Sequence, residues 1–366
     1  MMHYKDPSKR HDFVLLFDVV NGNPNGDPDA GNMPRIDPET NNGFVTDVAL
    51  KRKVRDYAVM AHGMDIFIQS KSALNTLYFN AASEAGLKFP EVEITDEELM
   101  EWLLRNAPDI IEVDEENKKV KYIHEFKKAS DIIDKLEEEN IEIPPETKEK
   151  LDVISKALVE AKKGLKKVSQ RERDSVREYM IKKYYDIRMF GAVLTAGTNA
   201  GQVRGPVQLT FAKSVSPILP MDISITRIAV TREADRSKKQ TEMGRKPIIP
   251  YGLYRAHGFY NPKLAERLTS AGNPVSTKDL EVLWEALQNM FDFDRSASRG
   301  EMACRGLYIF THKDENGLGN MSAHKLFDMV KVKQKDITVP PRSFSDYSVS
   351  INKEELLESI DLQEFE

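Results

Sequence analysis

Apolar residues are arranged along this chain in two ways. Some stand in short, nearly continuous runs closed by turn-forming residues. Others recur every three to four positions in longer stretches. The run "DFVLLFDVV" (12–20) is of the first kind and predicts a buried strand. "TDVALKRKVRDYAVMA" (46–61) is of the second and predicts a helix. Thr46 or Asp47 is its N-cap, and Val48, Leu50, Val54, Tyr57 and Ala58 form its apolar face. "GMDIFIQ" (63–69) reads as a further strand. Strand, long loop, helix, strand is the opening of an α+β sandwich.

The texture changes over 91–183. "TDEELMEWLLRNA" reads as a capped helix, and "EFKKASDIIDKLEEEN" and "ETKEKLDVISKALVEAKKGLKKV" as amphipathic helices separated by the breaker "EIPPE" (142–146). A solvated helical insert packed on the main domain is expected. The first texture then resumes. "YYDIRMFGAVLTAG" predicts a helix ending at Gly197. "GPVQLTFAKSVSPI", "ISITRIAVT", "KPIIPYGLYRAHGFY" and "EMACRGLYIFTH" predict strands, and "DLEVLWEALQNMF" a helix with Leu280, Leu283, Trp284 and Leu287 inward.

Composition narrows the function classes. The chain has 366 residues, 40% of them hydrophobic and 31% charged, enough for one large or two modest domains with an ordinary core. No run approaches the roughly 18 apolar residues of a membrane span, and the start "MMHYKDPSKRHD" has no signal-peptide character, so a cytoplasmic protein is expected. The single cysteine, Cys304, excludes an internal disulfide and a cysteine-based zinc cage. The net charge of -6 hides a polarised distribution. Residues 91–160 carry 22 acidic and 10 basic side chains, and the tail 353–366 a further net -5. What remains is a basic body with acidic appendages, and the body is what a polyanion would meet.

Three stretches carry candidate chemistry. The first follows the opening strand: "NGNPNGDPDAGNMPR" (21–35) alternates Asn21, Asn23 and Asn25 with glycine and proline. It is not an EF-hand, because it follows a strand and its twelfth position is Asn32 rather than a bidentate glutamate. Two readings stand: a turn-rich loop that needs these residues for its backbone alone, or amides and open N–H groups facing a sugar-phosphate chain. The second, "GTNAGQVRGPVQ" (197–208), lacks the ending of a Walker loop and does not follow a strand. It sets Thr198, Asn199, Gln202 and Arg204 among glycines, either as a helix end with a turn or as a surface for close backbone approach. The third, "TREADRSKKQTEMGRKPIIPYG" (231–252), runs six basic residues, Arg245 and Lys246 among them, through a polar connection with one exposed apolar residue, Met243, in its middle. It is either a solvated face or a loop that grips a nucleic-acid backbone and wedges its bases. The seven histidines have no ligand spacing, "HD" at 11–12 lacks the further ligands of a metal phosphohydrolase, and no catalytic triad is legible. No catalytic residue, metal or cofactor is expected.

Together, "DFVLLFDVVNGNPNGDPDAGNMPR", "GFVTDVALKRKVRDY", "MFGAVLTAGTNAGQVRGPVQLTFAKSVSPI", "KPIIPYGLYRAHGFYNP" and "FDRSASRGEMACRGLYIF" resemble, in that order, the repeating backbone subunit of the type I-C CRISPR Cascade surveillance complex (the Cas-seven family, Csd-two-like). The resemblance covers about 11–70 and 184–312, and the chain departs from it in the bulk of its acidic stretch.

The resemblance implies an α+β fold: a modified RNA-recognition-motif (ferredoxin-like) palm at 1–90 and 184–366, a helical fingers insert at 91–183, and a thumb loop at 227–250. It implies a non-enzymatic subunit that polymerises head-to-tail along a CRISPR RNA, beside other Cascade subunits, and displays the guide to a target DNA strand. The RNA-binding residues expected on this basis are Asn21, Asn23, Asn25, Arg35, Lys51, Arg52, Arg55, Thr198, Asn199, Gln202, Arg204, Met243, Arg245 and Lys246, with Lys53 and Arg55 also readable as solvated. No pair of exposed aromatics on a central strand is legible, so base stacking of the usual RNA-recognition-motif kind is not expected. The alternative is a metal-dependent endoribonuclease of a related complex, with Asp18, Asp27 or Asp29 as its carboxylate.

Overall fold

The computed structural model describes residues 3–72, 74–108, 110–122, 126–163, 165, 168–194, 200–227 and 242–366. The chain divides into two compact units, one of 1–64, 205–267 and 275–366, the other of 65–204 and 268–274. Both mix helices with antiparallel strands. No helix among the described residues is long and apolar enough to cross a membrane.

The first unit is organised by the strand that the apolar run predicts. Its main elements are β1 (His11–Gly22), β2 (Asn42–Val45), α1 (Asp47–His62), β3 (Val207–Leu209), β4 (Ala212–Pro217), β5 (Met221–Arg227), β6 (Glu242–Tyr260), α2 (Thr277–Phe293), β7 (Glu301–His312), α3 (Ala323–Met329), β8 (Val330–Gln334), β9 (Tyr347–Ile351) and β10 (Ile360–Phe365). The main sheet runs β10-β7-β1-β6-β4-β2, with β3 and β5 also paired to β6. β1 lies inside it, with both faces covered, which is why its sequence is apolar without alternation. Phe13 meets Trp284 of α2 edge-on at 5.1 Å, and Phe17 packs on Phe291 at 5.0 Å. On the other face Val14 and Leu16 join Leu326 and Phe327 of α3. The acidic C-terminal tail is no appendage here, since its last residues form the edge strand β10.

Local rules account for the helix ends. Thr46 is the N-cap of α1, accepting from Ala49 N at 3.3 Å, and Gly63 closes the helix with φ 61°. Ser276 and Asp279 form a capping box on α2. β6 is far longer than a usual strand because it serves twice. Its start pairs only with β5, as a two-stranded ribbon, and from Ile249 onward it pairs with β1.

The second unit has two clusters of its own. Helices Leu74–Glu84, Gln170–Lys183 and Tyr185–Phe190 share one of them. Helices Glu97–Asn106, Ala129–Glu138 and Pro145–Lys163 share the other with a three-stranded sheet of Glu91–Glu93, Lys119–Tyr122 and Ile111–Asp114. The stretch expected to be helical therefore also holds strands. At three or four residues they are too short for their alternation to show.

Two further expectations give way. Residues 63–69 are not a strand. The amides of Phe67 and Ile68 donate instead to the buried carboxylate of Asp186, at 2.8 and 3.0 Å. The helix expected to reach Gly197 ends at Phe190, because Gly191 turns out with φ 82°; Gly191–Leu194 then pairs with Gly201–Arg204. Removing the Asp186 carboxylate leaves the Phe67 and Ile68 amides without this acceptor. Asp186→Ala is expected to cost about 2 kcal/mol, and Asp186→Asn, which keeps an acceptor, less. Urea denaturation of the two variants measures the difference.

Candidate nucleic-acid interface

The loop after β1 is held by a second loop far away in sequence. Asn23 N donates to Ser298 O at 2.8 Å, and the Arg299 guanidinium donates to the carbonyls of Asn23 and Pro24 at 3.3 and 3.1 Å. The backbones are so close that a Cβ on Gly22 would lie 1.8 Å from Arg299 O. Gly300 sits at φ 63°, with room for no side chain beside Val20 O.

The three asparagines therefore differ. Asn23 is 2% exposed and donates its amide to Asn32 O at 2.7 Å. Asn25 accepts from Thr46 N and Oγ1 at 3.0 and 3.1 Å, tying the loop to the first turn of α1. Asn21, at φ 48°, is exposed. Two of the three amides shape the loop, and one faces outward. Arg35 lies 3.6 Å from Asp27, which caps the short turn Pro28–Ala30.

The cations of α1 separate in the same way. Arg52 is exposed and 3.7 Å from Asp56, and Lys51 pairs with Asp47 at 2.9 Å. Lys53 and Arg55 are not solvated: both are buried. The Lys53 ammonium contacts Asp294, whose carboxylate also lies 3.3 Å from Arg299 Nε. Burial, with Arg299 and Arg52 adding to it, pushes Lys53 down to about 7, and the Asp56 carboxylate opposes the shift. Lys53, Asp294 and Arg299 are the residues that sequence reasoning missed. The polar, glycine-containing stretch "FDRSASRG" just before β7 was the available signal.

At the ribbon of β5 and β6, Met243 is 77% exposed, opposite Thr226. Arg245 is exposed, with Nη1 2.7 Å from Asp222 Oδ2. Neighbouring residues of a strand point to opposite faces, so Arg245 shares a face with Met243, and half-buried Lys246 lies on the other. In the second unit Gln202 and Arg204 are exposed on the strand Gly201–Arg204. Thr198 and Asn199 lie outside the described residues, as does 228–241, most of the expected thumb.

Asp18 is placed unlike a metal ligand. It is buried, with Oδ2 2.9 Å from Arg305 Nε and 3.2 Å from the Tyr251 hydroxyl. A bulge in the β1–β7 pairing aims Arg305 at it. Burial raises the Asp18 pKa, and Arg305 opposes the shift. Asp29 is exposed, and among the described residues no three His, Cys, Asp or Glu side chains are grouped to hold a metal ion. Asp12 and His312 form a buried pair at 2.8 Å; His312 Nδ1 accepts from Asn320 N, so the ring donates through Nε2 and both groups are internally satisfied.

The chain matches the family model described as "CRISPR-associated protein Cas7" over residues 9–113 and 110–352. A Haloferax volcanii protein named CRISPR-associated protein Cas7 is 42% identical over 60 residues, which are 16% of this chain and 17% of that protein. The alignment thus spans about a sixth of the relative's length. A chain of a structure titled "CRISPR RNA-guided surveillance complex, pre-nicking" is 15% identical at a TM-score of 0.42, covering 87% of this chain and 81% of its own. A second, titled "CRISPR RNA-guided surveillance complex", gives 15% and 0.38, over 87% and 84%. Neither structural likeness is close enough to build on. The family match spans nearly the whole of the first unit and all of the second: the chain belongs to the Cas7 family of CRISPR-associated proteins.

Proposed function

We propose that this protein is the guide-RNA-binding backbone subunit of a Cascade-type surveillance complex, of subtype I-C. The observation that carries this reading is the family match over 9–352. In it, 1–90 and 184–366 are the palm, 91–183 the fingers and 227–250 the thumb. Copies assemble head-to-tail in the cytoplasm along a CRISPR RNA, with other Cascade subunits, and present the guide to a target DNA strand. The subunit grips RNA and leaves cutting to others, in keeping with an Asp18 already committed to Arg305 and Tyr251.

A protein that must hold any guide needs phosphate and sugar contacts rather than base reading. Asn21, Arg35, Lys51 and Arg52 near the first loop, Thr198, Asn199, Gln202 and Arg204, and Met243, Arg245 and Lys246 supply them in this reading. Asn23, Asn25 and Arg55 act from beneath by fixing the loop and α1.

Arg204, Arg245 and Lys246 test it. Replacing all three with alanine is expected to weaken binding of any single-stranded RNA. It should also lower the log–log salt slope by about 0.7 for each phosphate left without its cation. Fluorescence anisotropy across a salt series measures both. Equal slopes for variant and wild type would assign these residues to solvent, and absence of RNA binding by the wild type would end the reading.

A further inference from the structure

The main sheet carries a second feature, on the face shared by Leu16. Directly opposed residues of neighbouring strands point to one face, and three such pairs run in a row: Phe44 opposite Lys213, Lys213 opposite Arg255, Arg255 opposite Leu16. α3 covers the Leu16 end of this row. The Phe44 end is open. Phe211, just before β4, is 50% exposed, and its ring lies parallel to that of Phe44, 9° between planes and 6.1 Å between centroids. Between Phe211 and β8 is a cleft of about 410 Å³, lined by Thr210, Phe211, Lys213, Arg255, His257 and Val332 among others.

The polar groups of this cleft are held in fixed positions. Arg255 is anchored through Nη1 to Val330 O at 2.7 Å and through Nη2 to Phe327 O at 2.6 Å. Its Nε donates to His257 Nε2 at 2.9 Å, so that nitrogen is the bare one and His257 carries its proton on Nδ1. Burial and the Arg255 charge hold His257 down to about 4, so the ring stays neutral near pH 7. It stacks on Phe327 at 4.1 Å, which fixes its plane. Lys213 is exposed, and its charge is felt by the Asp37 carboxylate, whose pKa it helps to lower. One aromatic plane, one exposed ammonium and one neutral imidazole thus border a single open cleft.

We propose that this open half of the sheet binds one unpaired nucleotide of a single-stranded nucleic acid, the base stacking on Phe211, its phosphate on Lys213 and an acceptor on its edge facing His257. Aromatic platforms beside cations serve single strands because every base has a π-face and every linkage a charge. The exposed ammonium of Lys213 beside the aromatic ring favours an anionic, planar ligand over a neutral protein segment. The inference rests on the nucleic-acid reading above but concerns a site separate from the loop after β1. The aromatics here are not the central-strand pair of an RNA-recognition motif: Phe44 is on the outer strand β2 and Phe211 just before β4.

The test uses the full chain with single-stranded RNA and DNA oligonucleotides carrying 2-aminopurine. Phe211→Ala is expected to weaken binding about fivefold and to remove the change in 2-aminopurine emission. Phe211→Trp should retain both, and Lys213→Ala should lower the salt slope by about 0.7. Effects on RNA alone assign the site to the guide; effects on DNA assign it to a target or displaced strand. Wild-type binding that Phe211→Ala and Lys213→Ala leave unchanged overturns this inference and leaves the backbone reading intact. Wild-type protein that binds neither oligonucleotide overturns both.

Discussion

Asp294→Ala is expected to cost the first unit about 3 kcal/mol, because it leaves a buried ammonium without its counter-charge. The Lys53 side chain is almost wholly enclosed, and Asp294 is the carboxylate against it. Arg299 loses the same partner, so the loop it holds loosens too. The effect depends on pH with a definite sign. Lys53 titrates lower in the fold than its ordinary 10.5, at about 7. The unfolded chain therefore binds more protons between those values, and stability rises with pH across that window. Below pH 7 the buried Lys53 is charged and needs the carboxylate against it, and towards pH 9 it is neutral, so the deficit relative to wild type should be largest below pH 7 and shrink towards pH 9. Lys53→Met combined with Asp294→Ala should recover much of the loss, since no ammonium is then buried and only the Arg299 contact is missing. Urea titrations at pH 6 and pH 9 check this. A deficit that is equal at both would mean Lys53 is not the group responsible.

Gly22→Ala is expected to lower guide-RNA affinity more than tenfold. A Cβ at this position would sit 1.8 Å from Arg299 O and 2.4 Å from Arg299 C, both backbone atoms. A flexible side chain can swing away from such a clash, but two backbones must separate. Their separation breaks the Asn23–Ser298 bond and withdraws Arg299 from the Asn23 and Pro24 carbonyls. Asn21 then loses its fixed direction, and binding must supply the ordering that the native loop has in advance. Hydrogen exchange over residues 21–27 should rise in the free protein, and anisotropy with a CRISPR RNA should report the weaker complex. If exchange rises while affinity stays within twofold, the loop is not where RNA is held.

The strands β1 and β7 and the helices α1 and α2 were legible because they are written in local patterns. An unbroken apolar run, a 3.6-residue repeat and a Ser or Thr before it need no distant partner to be read. The Asn–Gly–Pro loop was legible as a loop for the same reason. Which of its amides remain free was not. Asn23 and Asn25 look as available as Asn21 until Asn32 and Thr46 are brought against them, and the clamp on their backbone comes from Ser298 and Arg299. Lys53 and Arg55 read as solvated because lysine and arginine on a helix usually are; packing of α1 in the fold buries both.

By itself, then, the sequence determined which segments extend, coil or turn, because those preferences are settled within a few residues. It also determined the family, through long ordered motifs. The tertiary structure decided the rest: that Phe67 and Ile68 donate to Asp186 instead of joining a sheet, that Asp18 is neutralised by Arg305, and that Phe44 and Phe211 lie parallel on one face. Each depends on two residues far apart in the chain. Strand register and helix packing, rather than local spacing, determine whether a charge or an amide meets a partner or the solvent.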